Sequence, residues 1–133
     1  MTVLSPSELM RAYYRSLDEP DPSKLDDLFT PDAEWRFPGA SLRGGAMVRR
    51  SMERSLATGL RMSHQISRMV EQGDTALCEL EATNIVHGQT FLVRGAVVCE
   101  AQGGRITRLV AYPDAIEMNA FLDGLRSGAK PRS

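Results

Sequence analysis

From Met62 to Asp114 the chain reads as four β-prone runs in succession, "MSHQISRMVEQGD", "TALCELEATNIVHG", "TFLVRGAVVCEAQGG" and "RITRLVAYPD", separated by glycine-containing turns. Strands joined by short turns pair with their sequence neighbours in antiparallel fashion, so nearly half of the chain is committed to a meander. The second run alternates Cys78, Leu80 and Ala82 with Glu79 and Glu81. With a side-chain period of two, one face of this sheet is apolar and the other carries both glutamates. If the apolar face is the concave one, Glu79 and Glu81 are simply solvated.

An apolar sheet face needs a cover, and the first half of the chain supplies one. In "SPSELMRAYYRSLD" Ser5 can cap, Pro6 suits the first helical position, and Glu8 completes a capping box. Leu9, Ala12, Tyr13 and Leu17 then fall on one helical face. A second, short helix is expected in "DPSKLDDLFT", capped by Asp21 and directing Leu25, Leu28 and Phe29 inward. "PDAEWRFPG" reads as a turn and a short strand in which Trp35 and Phe37 share a face. A third helix, "GAMVRRSMERSLATG", carries Val48, Met52 and Leu56 in a stripe and stops at Gly59. "AIEMNAFLDGL" closes the fold as a last helix. Residues 1–126 therefore form a single α+β domain, with a curved antiparallel sheet wrapped around three N-terminal helices and a short C-terminal helix, and 127–133 form a frayed tail. A sheet that bends around helices can leave an apolar pocket between the layers.

Composition removes several function classes. Of 133 residues 25% are charged, with a formal net charge of -1, which provides no electrostatic footprint for nucleic acid or an anionic membrane. Cys78 and Cys99 lie in strand-like runs without a C-x-x-C pairing or a neighbouring histidine, so they read as small buried apolar residues rather than metal ligands. The N-terminus lacks the basic and apolar regions of a signal peptide, and no apolar run approaches the ~18 residues of a membrane span. A cytoplasmic protein with no metal is expected.

The element order, with "LDDLFTPDAEWRFPG", "LRGGAMV" and "GGRITRLVAYPD", resembles the SnoaL-like branch of the nuclear transport factor two-like superfamily, a cone-shaped α+β fold. The resemblance spans roughly Glu8 to Leu125. Since that superfamily includes polyketide cyclases, limonene epoxide hydrolase, steroid isomerases, dehydratases and non-catalytic binding modules, function has to be argued from the site.

In the cyclases a "WPD" triplet, and in the hydrolase a "YFD" triplet, ends in the catalytic aspartate, and "YPD" occupies that place here. The resemblance thus implies Asp114 as a general acid/base facing the cavity. Asp114 and Glu117 also have the spacing of a capping box for the last helix, and the two roles are compatible. The hydrolase's Arg-x-Asp pair aligns with Glu79 and Glu81, so Glu81 keeps a carboxylate whereas Glu79 reverses the arginine's charge. Its water-positioning Tyr and Asn align with Trp35 and Phe37. The cyclases' histidine aligns near Val97, and the steroid isomerases' acid and base near Phe37 and Ala96 to Val97.

The expected site therefore comprises Asp114 and Glu81 as acid/base groups, in a pocket lined by Tyr14, Trp35, Phe37, Met52, Phe91 and Tyr112. His64, His87 and Arg94 are further polar features. The implied activity is cofactor-free cyclase, isomerase, dehydratase or hydrolase chemistry on a small apolar molecule. The alternative is a non-catalytic module that binds an apolar ligand or serves assembly. A homodimer, common in relatives, would use the outer sheet face, to which "FLVRGAVV" contributes.

Overall fold

In the computed structural model, which describes residues 3–127, helix α1 (Pro6–Asp18) opens on the expected capping box. The Glu8 amide donates to Ser5 Oγ over 3.3 Å, and the Ser5 amide donates to Glu8 Oε1 over 3.0 Å. The expected second helix is shorter than its pattern suggests. It consists of a 3-10 turn (Pro22–Lys24) and a single turn, α2 (Leu25–Leu28). Phe29 instead begins a strand, because Pro31 cannot continue a helix and biases the residue before it toward extended backbone. That strand, β1 (Phe29–Phe37), turns at Pro38 and Gly39 into β2 (Ala40–Arg43), a short exposed strand with no apolar periodicity to announce it.

Helix α3 (Gly45–Ala57) buries Val48 and Met52 and is followed by Gly59 at φ 95°. Then come β3 (Arg61–Gln72), β4 (Thr75–Val86), β5 (Gln89–Gln102) and β6 (Arg105–Pro113), each antiparallel to the next, and helix α4 (Ala115–Ser127). Ser127, expected in the tail, closes α4 by donating its hydroxyl to Asp123 O at 2.7 Å. The rest of the expected tail, 128–133, lies outside the described residues.

The six strands form one curved, unclosed sheet in the order β2-β1-β6-β5-β4-β3. It is not wholly antiparallel as expected: β1 lies parallel to β6. No turn joins those two strands, so nothing local dictates their relative direction. Register shifts between Ile66 and Arg68 and between Glu100 and Ala101 insert extra residues that sharpen the bend. The hairpin linking β4 and β5 turns on His87 (φ 52°) and Gly88 (φ 75°), a pair of left-handed residues suited to a two-residue loop.

Helix α1 covers the concave face. Leu9, Met10, Tyr13 and Leu17 pack into a core with Ala76, Cys78, Leu80 and Cys99. Both thiols are free and buried, and burial pushes Cys78 up to about 11 and Cys99 up to about 12. The convex face leaves Val70, Leu77, Ile85 and Leu92 exposed. Among the described residues no helix is long and apolar enough to cross a membrane.

Candidate functional site

Between α1, α3, α4 and the concave sheet face lies a cavity of about 360 Å³. Its walls are mostly apolar: Leu17, Trp35, Phe37, Met52, Leu60, Met62, Leu80, Val93 and Val97, roofed by Met118, Phe121, Leu122 and Leu125 of α4. The enclosure follows from strand alternation. Leu80, Ala82 and Asn84 of β4 face inward, whereas Glu79 and Glu81 face out. Trp35 and Phe37, two residues apart on β1, stack with ring centroids 5.5 Å apart and planes 7° from parallel. Trp35 Nε1 donates to Tyr13 Oη at 3.0 Å, which satisfies the indole and holds the ring against the wall.

Few polar groups reach this space, and the most organised is His64. Its side chain is 7% exposed and lines the cavity beside Tyr14, with the two rings 4.5 Å apart. The carboxylate of Asp18, at the end of α1, grips His64 twice. Asp18 Oδ1 lies 2.6 Å from His64 Nδ1, and Asp18 Oδ2 accepts the His64 backbone N–H at 2.9 Å. β3 is an edge strand, so its outward amides have no strand partner, and Asp18 supplies one here. A carboxylate on Nδ1 can only accept there, so Nδ1–H is the donor, and in the neutral tautomer that this contact favours the ring's lone pair lies on Nε2. Among the described residues Nε2 has no hydrogen-bond partner.

Two more polar groups open onto the same hollow. Tyr14 is 7% exposed, and its hydroxyl has no partner among the described residues. Burial raises its pKa well above the ordinary phenol value, with smaller contributions from Tyr13, the two thiols and Asp18, so it persists as a protonated donor. Asn84, 4% exposed, spends its amide NH2 on Phe91 O at 3.3 Å and keeps its carbonyl oxygen available. Ser51 and Ser55 of α3 also line the cavity.

Of the residues expected from the sequence, the structure brings Tyr14, Trp35, Phe37, Met52 and His64 to the cavity, and Arg94 borders it with its guanidinium turned to Glu117. It does not bring Asp114, Glu81, Phe91, Tyr112 or His87. On β6, Ala111 and Pro113 line the wall, so Tyr112, 54% exposed, faces the other way. Asp114, just beyond the strand, is exposed and serves as the helix cap: its Oδ1 accepts the Glu117 amide at 2.9 Å, and its own amide donates to Arg94 O at 2.7 Å. The capping box is only half made, because Glu117 turns its carboxylate to Arg94. That carboxylate accepts from Arg94 Nη2 at 2.7 Å, from Nε at 3.1 Å and from the Arg94 amide at 3.0 Å, and these bonds hold Glu117 below the usual carboxylate range. Glu81 stands on the convex face, opposite Arg94 in register. Phe91, on the same strand face as Val93, packs under α4 against Phe121 at 5.9 Å and is not among the cavity's lining residues. His87 sits exposed in a hairpin tip.

Nothing in the sequence pattern singles out Asp18 as a site residue. Its one local signal is that a carboxylate in the last turn of a helix faces the negative end of the dipole, a position that calls for a partner elsewhere.

A family model for the SnoaL-like domain matches residues 10–109. Among curated proteins no sequence match is found. An M. tuberculosis LEH-like epoxide hydrolase superposes with a TM-score of 0.76 at 23% identity, covering 91% of this chain and 89% of that one. A Catenulispora acidiphila protein of ketosteroid isomerase-like fold, solved with trimethylamine, gives 0.76 at 21% identity, covering 88% and 92%. A candidate SnoaL-like polyketide cyclase from Shewanella denitrificans gives 0.78 at 16% identity, covering 90% and 97%. These likenesses establish the fold.

Proposed function

We propose, from the premise that this chain belongs to the SnoaL-like domain family, that it is a small-molecule enzyme in which the Asp18–His64 pair performs acid/base chemistry on an apolar substrate held in the cavity. The observation that carries the reading is the double grip of Asp18 on His64 at the wall of an otherwise apolar hollow. An imidazole restrained at both its backbone and its Nδ1 is preorganised, and a positioned base of this kind contributes about 10²–10⁴-fold to proton transfer. Nε2 takes a proton from the substrate, the resulting imidazolium is stabilised by the Asp18 carboxylate, and the proton is returned later in the cycle. The chemistry uses side chains alone and needs no cofactor, and we assign it to the cytoplasm.

In this reading Asp114 supports the site from outside, by fixing the start of the α4 roof rather than by touching substrate. Glu81 has no part in it. The second reading is an apolar-ligand-binding module, favoured by how little of the cavity wall is polar. A panel of apolar metabolites separates the two. Product formation that is lost in His64→Gln while ligand binding persists supports the enzyme, whereas binding with every ligand recovered unchanged supports the module. We also propose a homodimer through the convex face, where Val70, Leu77, Ile85 and Leu92 are exposed. Light scattering that returns a monomer mass at micromolar concentration refutes it.

A further inference from the structure

We infer that Asn84 selects the ligand of this cavity, and that the ligand is an apolar molecule carrying a hydrogen-bond donor, a hydroxyl or an N–H, rather than an acceptor-only ether, ester, ketone or epoxide. The inference rests on the cavity as the ligand site and holds for the enzyme and for the binding module alike. Asn84 stands near the end of β4, is 4% exposed and lines the hollow. Its amide is oriented by β5: the Phe91 carbonyl oxygen can only accept, so Nδ2 faces it at 3.3 Å and Oδ1 turns away. Among the described residues Oδ1 has no donor, and the only side-chain N or O atom that is both sealed from open space and unpartnered is Thr30 Oγ1. Asn84 Oδ1 therefore meets free volume, and in a side chain this enclosed that volume is the cavity.

The surroundings offer no substitute donor. On the concave face Asn84 is bordered by Met62 of β3, Phe91 of β5, and Ala82 and Val86 of its own strand, all of them apolar. β4 is an inner strand, so the backbone amides on both sides of it are engaged in ladders. Asparagine is a poor strand residue and a buried carbonyl oxygen without a donor is costly, while the bond to Phe91 satisfies only one end of the amide. Scaffold needs therefore do not account for the residue. Water meets such an oxygen in solution, but a ligand that fills the hollow displaces that water and has to bring a donor of its own. A site built around a buried polar group rejects an analogue lacking its partner far more strongly than an apolar wall rejects a change of size. His64 faces Ala82, one rung along the same face, so a ligand held by Asn84 lies beside the imidazole.

The test uses the whole chain and two ligands of one shape: indole, which carries an N–H, and benzofuran, which has an oxygen in its place and no donor. Dissociation constants are read by NMR titration, together with the proton shift of the bound indole N–H and the melting temperature of each variant. The wild type prefers indole. One hydrogen bond to a buried acceptor is worth about a factor of ten in affinity, so the ratio of the two constants shifts about tenfold toward benzofuran in Asn84→Val, and the indole N–H signal moves upfield. Asn84→Val melts at or above the wild-type temperature, because it removes a half-satisfied amide and gains a better strand residue. His64→Gln keeps the preference for indole. An unchanged ratio in Asn84→Val overturns the inference, as does a wild type that binds benzofuran as tightly as indole, or binds neither. A lower melting temperature with the ratio unchanged assigns Asn84 to the scaffold and overturns it too. A preference lost in His64→Gln but kept in Asn84→Val moves the acceptor to His64 and refutes the role of Asn84. No turnover is read, so failure of His64 as a base leaves these outcomes untouched.

Discussion

Replacing Asp18 by asparagine keeps the shape of the side chain that holds His64 but reverses what it offers the ring. In the wild type, Oδ2 accepts the backbone amide at 2.9 Å while Oδ1 meets Nδ1 at 2.6 Å. Asparagine has one carbonyl oxygen and one NH2. The backbone N–H can only donate, so it claims the oxygen and leaves the NH2 facing Nδ1. The imidazole then has to accept at Nδ1 and carry its proton on Nε2, the nitrogen that works as the base. A wrong tautomer in an intact geometry lowers turnover by about 10⁴ in the serine-protease case, where the same substitution was made, and a loss of at least 10²-fold is expected here. Stability should fall much less. One charge-assisted hydrogen bond becomes a neutral one, a change of about 1–2 kcal/mol, or roughly 5 °C in melting temperature for a domain of this size. The assay pairs turnover with ¹⁵N NMR of the imidazole, which reports the proton on Nδ1 in the wild type and on Nε2 in the variant. Turnover within tenfold of wild type, with the tautomer switched, would refute the argument that Nε2 is the base.

Other perturbations address the walls and the scaffold. Ala82→Leu, across from His64 in register, adds methyl groups into the hollow, so ligand binding should vanish while urea stability stays the same or rises; unchanged binding would mean that the ligand sits elsewhere. Gly124→Ala should destabilise by about 1–3 kcal/mol despite alanine's better helix propensity, because the new Cβ collides with the Phe91 ring, itself packed against Phe121; a higher urea midpoint would contradict that seating of α4. Asp114→Asn retains a good cap, so stability should change by less than about 1 kcal/mol and turnover by only a few-fold; a 100-fold loss would restore Asp114 to the chemistry. Burial raises both thiols, to about 11 and about 12, so at pH 8 they remain protonated in the native state; iodoacetamide should label Cys78 and Cys99 only after unfolding, and labelling of the folded protein would show that the sheet opens.

Much of this architecture can be read from local chemistry. The capping box at Ser5, the glycine turns between strands and the two-residue alternation through Cys78, Leu80 and Ala82 depend on residues within a few positions of one another, and short-range sterics and hydrogen bonding settle them. The family resemblance belongs to this level too, since it rides on the same turns and strand ends. Local periodicity gives a phase, but it does not say which phase meets a cavity. Asp114 continues the alternation of Tyr112, and the inward phase at the end of β6 belongs to Ala111 and Pro113, so a carboxylate that resembled a catalytic one faces water and caps a helix.

The pairing of β1 beside β6, the choice of Arg94 over the helix start as the partner of Glu117, and the clasp of Asp18 on His64 share one property: each joins groups that no turn or helical repeat connects. Asp18 and His64 are 46 positions apart, and they meet because α1 crosses the open edge of the sheet where β3 has an amide to spare. Chain folding in three dimensions creates that coincidence of a helix end, a bare strand edge and an apolar hollow. The sequence alone offers His64 as a polar feature of the site, and its candidacy as the base became visible only once those three were in place.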